Sequence, residues 1–231
     1  MKTIGLIGGL SWESSAEYYR LINTFIKERL GGLHSAKCVM VSVDFAEVEV
    51  LQRENRWAES AQLLIAAAQS LEHAGADLVL LCTNTMHKVA ADIQASIRIP
   101  LVHIVDATAE QIKVQGLTAV ALLGTRFTME EDFYVGRLTQ RYGLRILIPE
   151  TAERAMIHRV IYDELCLGEI KAVSKAQYLA VIDRLIGRGA QGIILGCTEI
   201  GLLLQADDCR VPVFDTTRLH ARAAVELALL V

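Results

Sequence analysis

No apolar run in this chain approaches the roughly 20 residues that a membrane-spanning helix needs. The hydrophobic fraction is nevertheless 52%, and mean hydropathy is +0.34. That surplus is expected in a core or a subunit interface rather than in a bilayer. A basic face is also missing: 23 Lys and Arg stand against 27 Asp and Glu, for a net charge of −4. The scatter of those cations argues against a nucleic-acid or anionic-lipid partner. The opening MKTIGLIGGLSWES has too short an apolar segment for a signal peptide, and it reads as a first strand. Prolines number three, and no Pro-, Gly- or Ser-rich linker or low-complexity tract interrupts the chain. The five cysteines form no CxxC pair and no Cys/His group at zinc spacing, which predicts reduced thiols and a cytoplasmic setting. Cys38, Cys166 and Cys209 lie in apolar segments and read as small buried residues. His34, His73, His103, His158 and His220 are dispersed along the sequence, so no metal site is expected. GLIGG after the first strand lacks the GxGxxG spacing, and Asp44 leads into an apolar-acidic run, so nucleotide binding is disfavoured.

What the chain does contain is alternation. Strand-like runs near 3–7, 37–43, 77–82, 99–104, 118–123, 144–148, 191–195 and 212–214 are separated by amphipathic stretches such as 15–30, 56–74, 128–142 and 174–188. This pattern predicts an α/β fold of mainly parallel sheets flanked by helices. The chain is also written twice. GADLVLLCTNT (75–85) is matched by GAQGIILGCTE (189–199), and GLIGGLS (5–11) by ALLGTRF (121–127). RIPLVHIVDAT (98–108) has a looser counterpart in RVPVFDTT (210–217). All three offsets are about 115 residues, as a duplicated βα unit would give. The expected division is one domain of 1–105 plus a C-terminal helix 217–231, and a second of 106–216, with a site in the cleft between them.

Ligands of open parallel sheets bind beyond the carboxyl ends of the strands. Four such ends here carry Gly, Thr, Cys or Asn: GGLSWES, CTNT, GTRFT and GCTE. Counted without gaps from the shared Gly-Ala, Cys197 falls opposite Thr83, and Cys82 falls opposite Gly196. Two facing proton carriers suit inversion of a stereocentre, with an acid on one face of a carbon and a base on the other. Each is followed by a helix-like segment, whose N-terminus would favour a thiolate or hold a substrate carboxylate. On spacing alone, a strand-ending Cys197 and a helix-capping Thr83 remain an equal reading.

GLIGGLSWESS, the CTNTMH loop, GTRFT, IYDEL and GCTEI together make the sequence resemble the aspartate/glutamate racemase family, almost end to end. The resemblance implies two similar α/β domains with the site between them, a homodimer, and racemisation without pyridoxal phosphate or any other cofactor. It implies Thr83 and Cys197 as catalytic residues, with Thr83 standing where the family usually has cysteine. It also implies Cys197 as the base toward the L enantiomer. Leu10, Ser11, Gln52, Asn84, Thr85, Gly124, Thr125, Thr128, Thr198 and Glu199 are expected to line or bind the substrate, with Cys82, His87 and Glu164 as weaker candidates. Asn84, Thr85 and Thr198 would hold the α-carboxylate, and Glu199 the ammonium. Relatives specific for aspartate carry cations where this chain has Gln52 and Cys166, so broad specificity that includes neutral polar amino acids is expected. Arg53 or Arg126 would be the substitutes. A one-thiol decarboxylase or isomerase and a non-catalytic ligand-binding protein are the alternatives.

Overall fold

The computed structural model describes residues 1–230 and divides into two compact units. The first comprises Met1–Ile104 and the chain from His220 onward; the second is Val105–Leu219. In chain order the elements are β1 (Ile4–Gly8), α1 (Trp12–Leu30), β2 (Cys38–Ser42), α2 (Phe45–Arg53), α3 (Trp57–His73), β3 (Leu78–Leu81), α4 (Ala90–Ser96) and β4 (Leu101–Val102). There follow α5 (Ile104–Val114), β5 (Ala119–Gly124), α6 (Arg126–Glu130), α7 (Val135–Tyr142), β6 (Arg145–Leu147) and α8 (Thr151–Asp163). The chain ends with α9 (Ala172–Gly187), β7 (Ile193–Gly196), α10 (Ile200–Leu203), β8 (Val213–Asp215) and α11 (Thr216–Leu229). Short 3-10 turns occupy Thr85–Val89, Leu165–Leu167 and Ala206–Asp208.

Each unit holds one four-stranded parallel sheet, in the order β2-β1-β3-β4 in the first and β6-β5-β7-β8 in the second. The central strands β1, β3, β5 and β7 are buried along their whole length. Their continuous apolar runs are what a sheet covered on both faces requires. In the first unit Ile7, Val79 and Leu81 pack under α3 and α4, while Leu6, Leu78, Leu80 and Cys82 pack under α1 and α11.

Three differences from the sequence reading have physical causes. The strand expected over 99–104 pairs only at Leu101–Val102, because the chain turns into α5 at Ile104. The amphipathic stretch 128–142 is two helices, α6 and α7, broken where Tyr134 is drawn fully into the core. Cys38, Cys166 and Cys209 are free thiols and half-buried rather than buried.

Candidate active site

Backbone hydrogen bonds fix the correspondence between the units. The N–H of Val79 donates to Pro100 O and that of Ile193 to Pro212 O, both at 2.9 Å. The Ala76 N–H reaches Leu71 O just as the Ala190 N–H reaches Leu185 O, each at 3.0 Å. Carried along each strand, this register sets Thr83 of the first unit in the place of Cys197 in the second. Cys82 continues the ladder, with its N–H 3.0 Å from Ile7 O. Its side chain is fully buried beneath α1 and α11, and burial pushes its thiol well above the ordinary range. Thr83 is half-buried.

In the first unit the loop after β1 brings Leu10 and Ser11 to the same carboxyl edge as Thr83. Gly9 makes the turn at φ +77°, where a Cβ would lie 2.0 Å from Val43 O, so only glycine fits. The Gly9 N–H donates to Ser15 Oγ at 2.8 Å, and Ser11 caps α1 by accepting from the Ser14 N–H at 3.2 Å. Asn84, Thr85 and His87 are buried in the loop and turn that follow Thr83. Asn84 precedes the turn without a side-chain cap bond. Gln52, buried on α2, donates from Nε2 to Met86 Sδ at 2.9 Å, tying α2 to that loop. Arg53 is exposed and paired with Glu49 at 3.0 Å.

In the second unit β5 and β7 end side by side, Gly124 opposite Gly196. A Cβ on either would stand 2.9 Å from a carbonyl oxygen of the other strand, so both glycines permit the approach that sets Thr125 beside Cys197. Thr125 caps α6, accepting from the Thr128 N–H at 3.3 Å, and the two hydroxyls lie 3.2 Å apart. Cys197 is buried at 9% exposure, and its Sγ–H donates to Oε2 of Glu199 at 2.9 Å. Burial, then the Glu199 charge, hold this thiol well above its ordinary value. Thr198 is half-buried beside it. The helix-like segments behind the two residues prove to be a five-residue 3-10 turn and the four-residue α10. The first runs straight on into α4; the second is too short to build the macrodipole that would favour a thiolate, and desolvation dominates at Cys197. Glu164 caps α8 and accepts from Ser174 Oγ at 2.6 Å, with Lys171 Nζ 3.7 Å away. Arg126 is exposed, with its guanidinium 4.9 Å from the Phe127 ring centroid. It forms no ion pair among the described residues.

Sequence reasoning missed three supports of this site. Ser14 donates from Oγ to Cys82 O at 2.8 Å, and Tyr178, buried beneath α8, donates its hydroxyl to Ile157 O at 3.1 Å. Three of the histidines come together in space: the His87 ring lies 4.7 Å from that of His103 and 5.6 Å from that of His220. Their sequence positions gave no signal, since β4 and α11 bring them together only in the folded unit. Ser14 lies in GLIGGLSWESS, where a β1–α1 loop serine one turn into a helix is the only cue.

Two units of one strand order, each following its third strand with a side chain that can carry a proton, define an internally duplicated α/β protein. The chain belongs to the Asp/Glu/hydantoin racemase family, whose model matches residues 7–224. It is 56% identical to a candidate Asp/Glu racemase from Yersinia pestis of known crystal structure, over 100% of both chains with a TM-score of 0.94. An aspartate racemase homologue from Pyrococcus horikoshii OT3 is 36% identical over 99% of both chains, with a TM-score of 0.86. The broad specificity amino-acid racemase RacX of Bacillus subtilis (strain 168) is 25% identical over 171 residues, 72% of this chain and 71% of RacX. Among the described residues no helix is long and apolar enough to cross a membrane.

Proposed function

We propose that this protein is a cofactor-independent amino-acid racemase that inverts Cα by proton transfer between Cys197 and Thr83, one from each unit. The observation that carries the reading is the common backbone register, which puts the thiol and the hydroxyl at equivalent strand ends and leaves Cys82 in the core. Glu199 is the natural seat for the substrate ammonium. Once the ammonium occupies that carboxylate, its positive charge offsets the negative charge that now opposes ionisation of Cys197. The resulting thiolate removes the Cα proton of the L enantiomer, and the Thr83 hydroxyl supplies one to the opposite face. Asn84, Thr85 and Thr198 hold the α-carboxylate. Gln52 contributes no charge, and Arg53 is occupied by Glu49, so neutral polar amino acids are accepted beside aspartate and glutamate.

The test is incubation of purified, chelator-dialysed protein with single enantiomers in D2O. Deuterium at Cα together with growth of the opposite enantiomer is expected without added pyridoxal phosphate. Product release of CO2 in place of inversion, or no Cα exchange with any acidic or polar amino acid, would overturn the proposal.

A further inference from the structure

The two equivalent strand ends are held very differently. At Thr83 the flanking peptide planes are both held by side chains, one from α1 and one from the turn that follows. Ser14 Oγ donates to Cys82 O at 2.8 Å, fixing the plane before Thr83. His87 Nδ1 bonds Thr83 O at 2.9 Å, fixing the plane after it. The His87 amide then donates to Asn84 O at 3.1 Å, as the equivalent Gly201 amide does to Thr198 O at 3.3 Å, so the difference between the two ends lies in the side-chain anchors. With both planes fixed, φ and ψ of Thr83 are set, and its β-branched side chain keeps few χ1 choices. At Cys197 the carbonyl is met by its own turn, from the Ile200 N–H at 3.2 Å. The residue equivalent to His87 there is Gly201, where a Cβ would first meet Asp215 Oδ2 at 3.4 Å.

The protonation state of His87 follows from its partners. The Ile104 N–H donates to Nε2 at 3.2 Å, so Nε2 carries a lone pair. A backbone carbonyl only accepts, so Nδ1 carries the proton that reaches Thr83 O. The ring is buried, tilted against that of His103 and edge-on to that of His220. His220 in turn donates from Nε2 to Val102 O and accepts at Nδ1 from the Tyr18 hydroxyl, both at 2.8 Å.

We propose that His87 is the positioning residue for Thr83, a clamp fixed as the neutral Nδ1–H tautomer that aims the weaker of the two proton carriers. The inference rests on the racemase reading. A thiolate is a strong and forgiving base. A hydroxyl protonates a carbanion only from a well-held geometry, and misplacement by about 1 Å costs on the order of 100-fold. Loosening the clamp should therefore harm delivery of the proton by Thr83 while sparing its removal and return by Cys197.

The experiment measures two rates on one sample of L substrate in D2O: inversion, which needs both residues, and Cα exchange with retention, which needs Cys197. In His87→Leu, inversion should fall on the order of 100-fold, with retention exchange changed by less than about threefold. His87→Gln, which keeps a donor and an acceptor, should recover to within about tenfold of the parent. Equal loss of both rates in His87→Leu would overturn the proposal. Ser14→Ala should show the same split and decides the matter if His87→Leu does not fold. Independently, long-range ¹⁵N correlation spectra of the unsubstituted protein should show His87 as the neutral Nδ1–H tautomer at neutral pH. An imidazolium or an Nε2–H tautomer would overturn the clamp. Absence of any Cα exchange in the parent would overturn the racemase reading, and the spectrum would still decide the clamp.

Discussion

At the scale of single residues, neighbours with similar chemistry are separated by what surrounds them. Cys82 and Thr83 are adjacent, yet one lies under α1 and α11 and the other past the end of the ladder. Cys197→Ala is expected to abolish racemisation, and Thr83→Ala to remove inversion while leaving some Cα exchange. Cys82→Ala should keep most activity and cost about 1 kcal/mol of stability through the small cavity it leaves. Enantiomer-resolved chromatography and urea unfolding of the three variants check this. A Cys82→Ala variant as inactive as Cys197→Ala, beside a silent Thr83→Ala, would mean that Cys82 is the second proton carrier. The register that sets Thr83 opposite Cys197 was legible in the sequence, because the duplicated Gly-Ala precedes each third strand and counts forward to the same position. The histidine clamp was not legible. His87, His103 and His220 share no spacing, and only the packing of β4 and α11 against the loop unites them.

At the scale of elements, the eight strands were readable because buried parallel strands are short apolar runs at regular intervals. The break between α6 and α7 was not readable, because it depends on Tyr134, whose hydroxyl bonds Thr108 in the core. The close β5–β7 contact makes a stability prediction. In Gly196→Ala the added Cβ would meet Leu123 O at 2.9 Å, Leu122 Cδ1 at 3.0 Å and Thr128 Cγ2 at 3.1 Å. A carbonyl in a ladder cannot withdraw without opening it, so about 1–3 kcal/mol should be lost. An unchanged urea midpoint would show that the strands relax freely. The attachment of α11 carries a pH prediction. Burial, partly offset by the bond to Val102, lowers His220 from 6.5 to about 4. A histidine lowered in the folded state contributes stability that is present above about pH 6.5 and lost as pH falls toward 4. That loss amounts to roughly 3 kcal/mol if the shift is fully expressed. Amide exchange in α11 should accelerate across that interval, and His220→Gln should flatten the acid limb of the urea midpoint. Identical limbs in the two proteins would assign the acid sensitivity elsewhere.

At the scale of the whole molecule, two units of one fold carry unequal chemistry, and the inequality should be visible in kinetics rather than in equilibrium. Two enantiomers in water have equal free energy, so the ratio of the two kcat/KM values is held at one whatever the catalyst. The separate constants are free to differ. Under the proposed mechanism, the base in the direction that starts from L is a thiol with an unperturbed pKa of about 8.5, raised here by burial and by Glu199. Under the same mechanism, the base in the direction that starts from D is an aliphatic hydroxyl, a far weaker acid, and each pKa unit of mismatch is worth about 1.4 kcal/mol. Conversion of D to L should therefore show a low kcat matched by a correspondingly low KM, with L to D the readily observed direction. Thr83→Cys replaces the hydroxyl with a thiol at the same clamped backbone position, so it should bring the two kcat values toward each other and raise that of the D direction most. Progress curves from each pure enantiomer, followed by circular dichroism, measure all four constants. Equal kcat values in the parent protein, or a Thr83→Cys variant that leaves their ratio unchanged, would show that Thr83 is not the group that meets the second face.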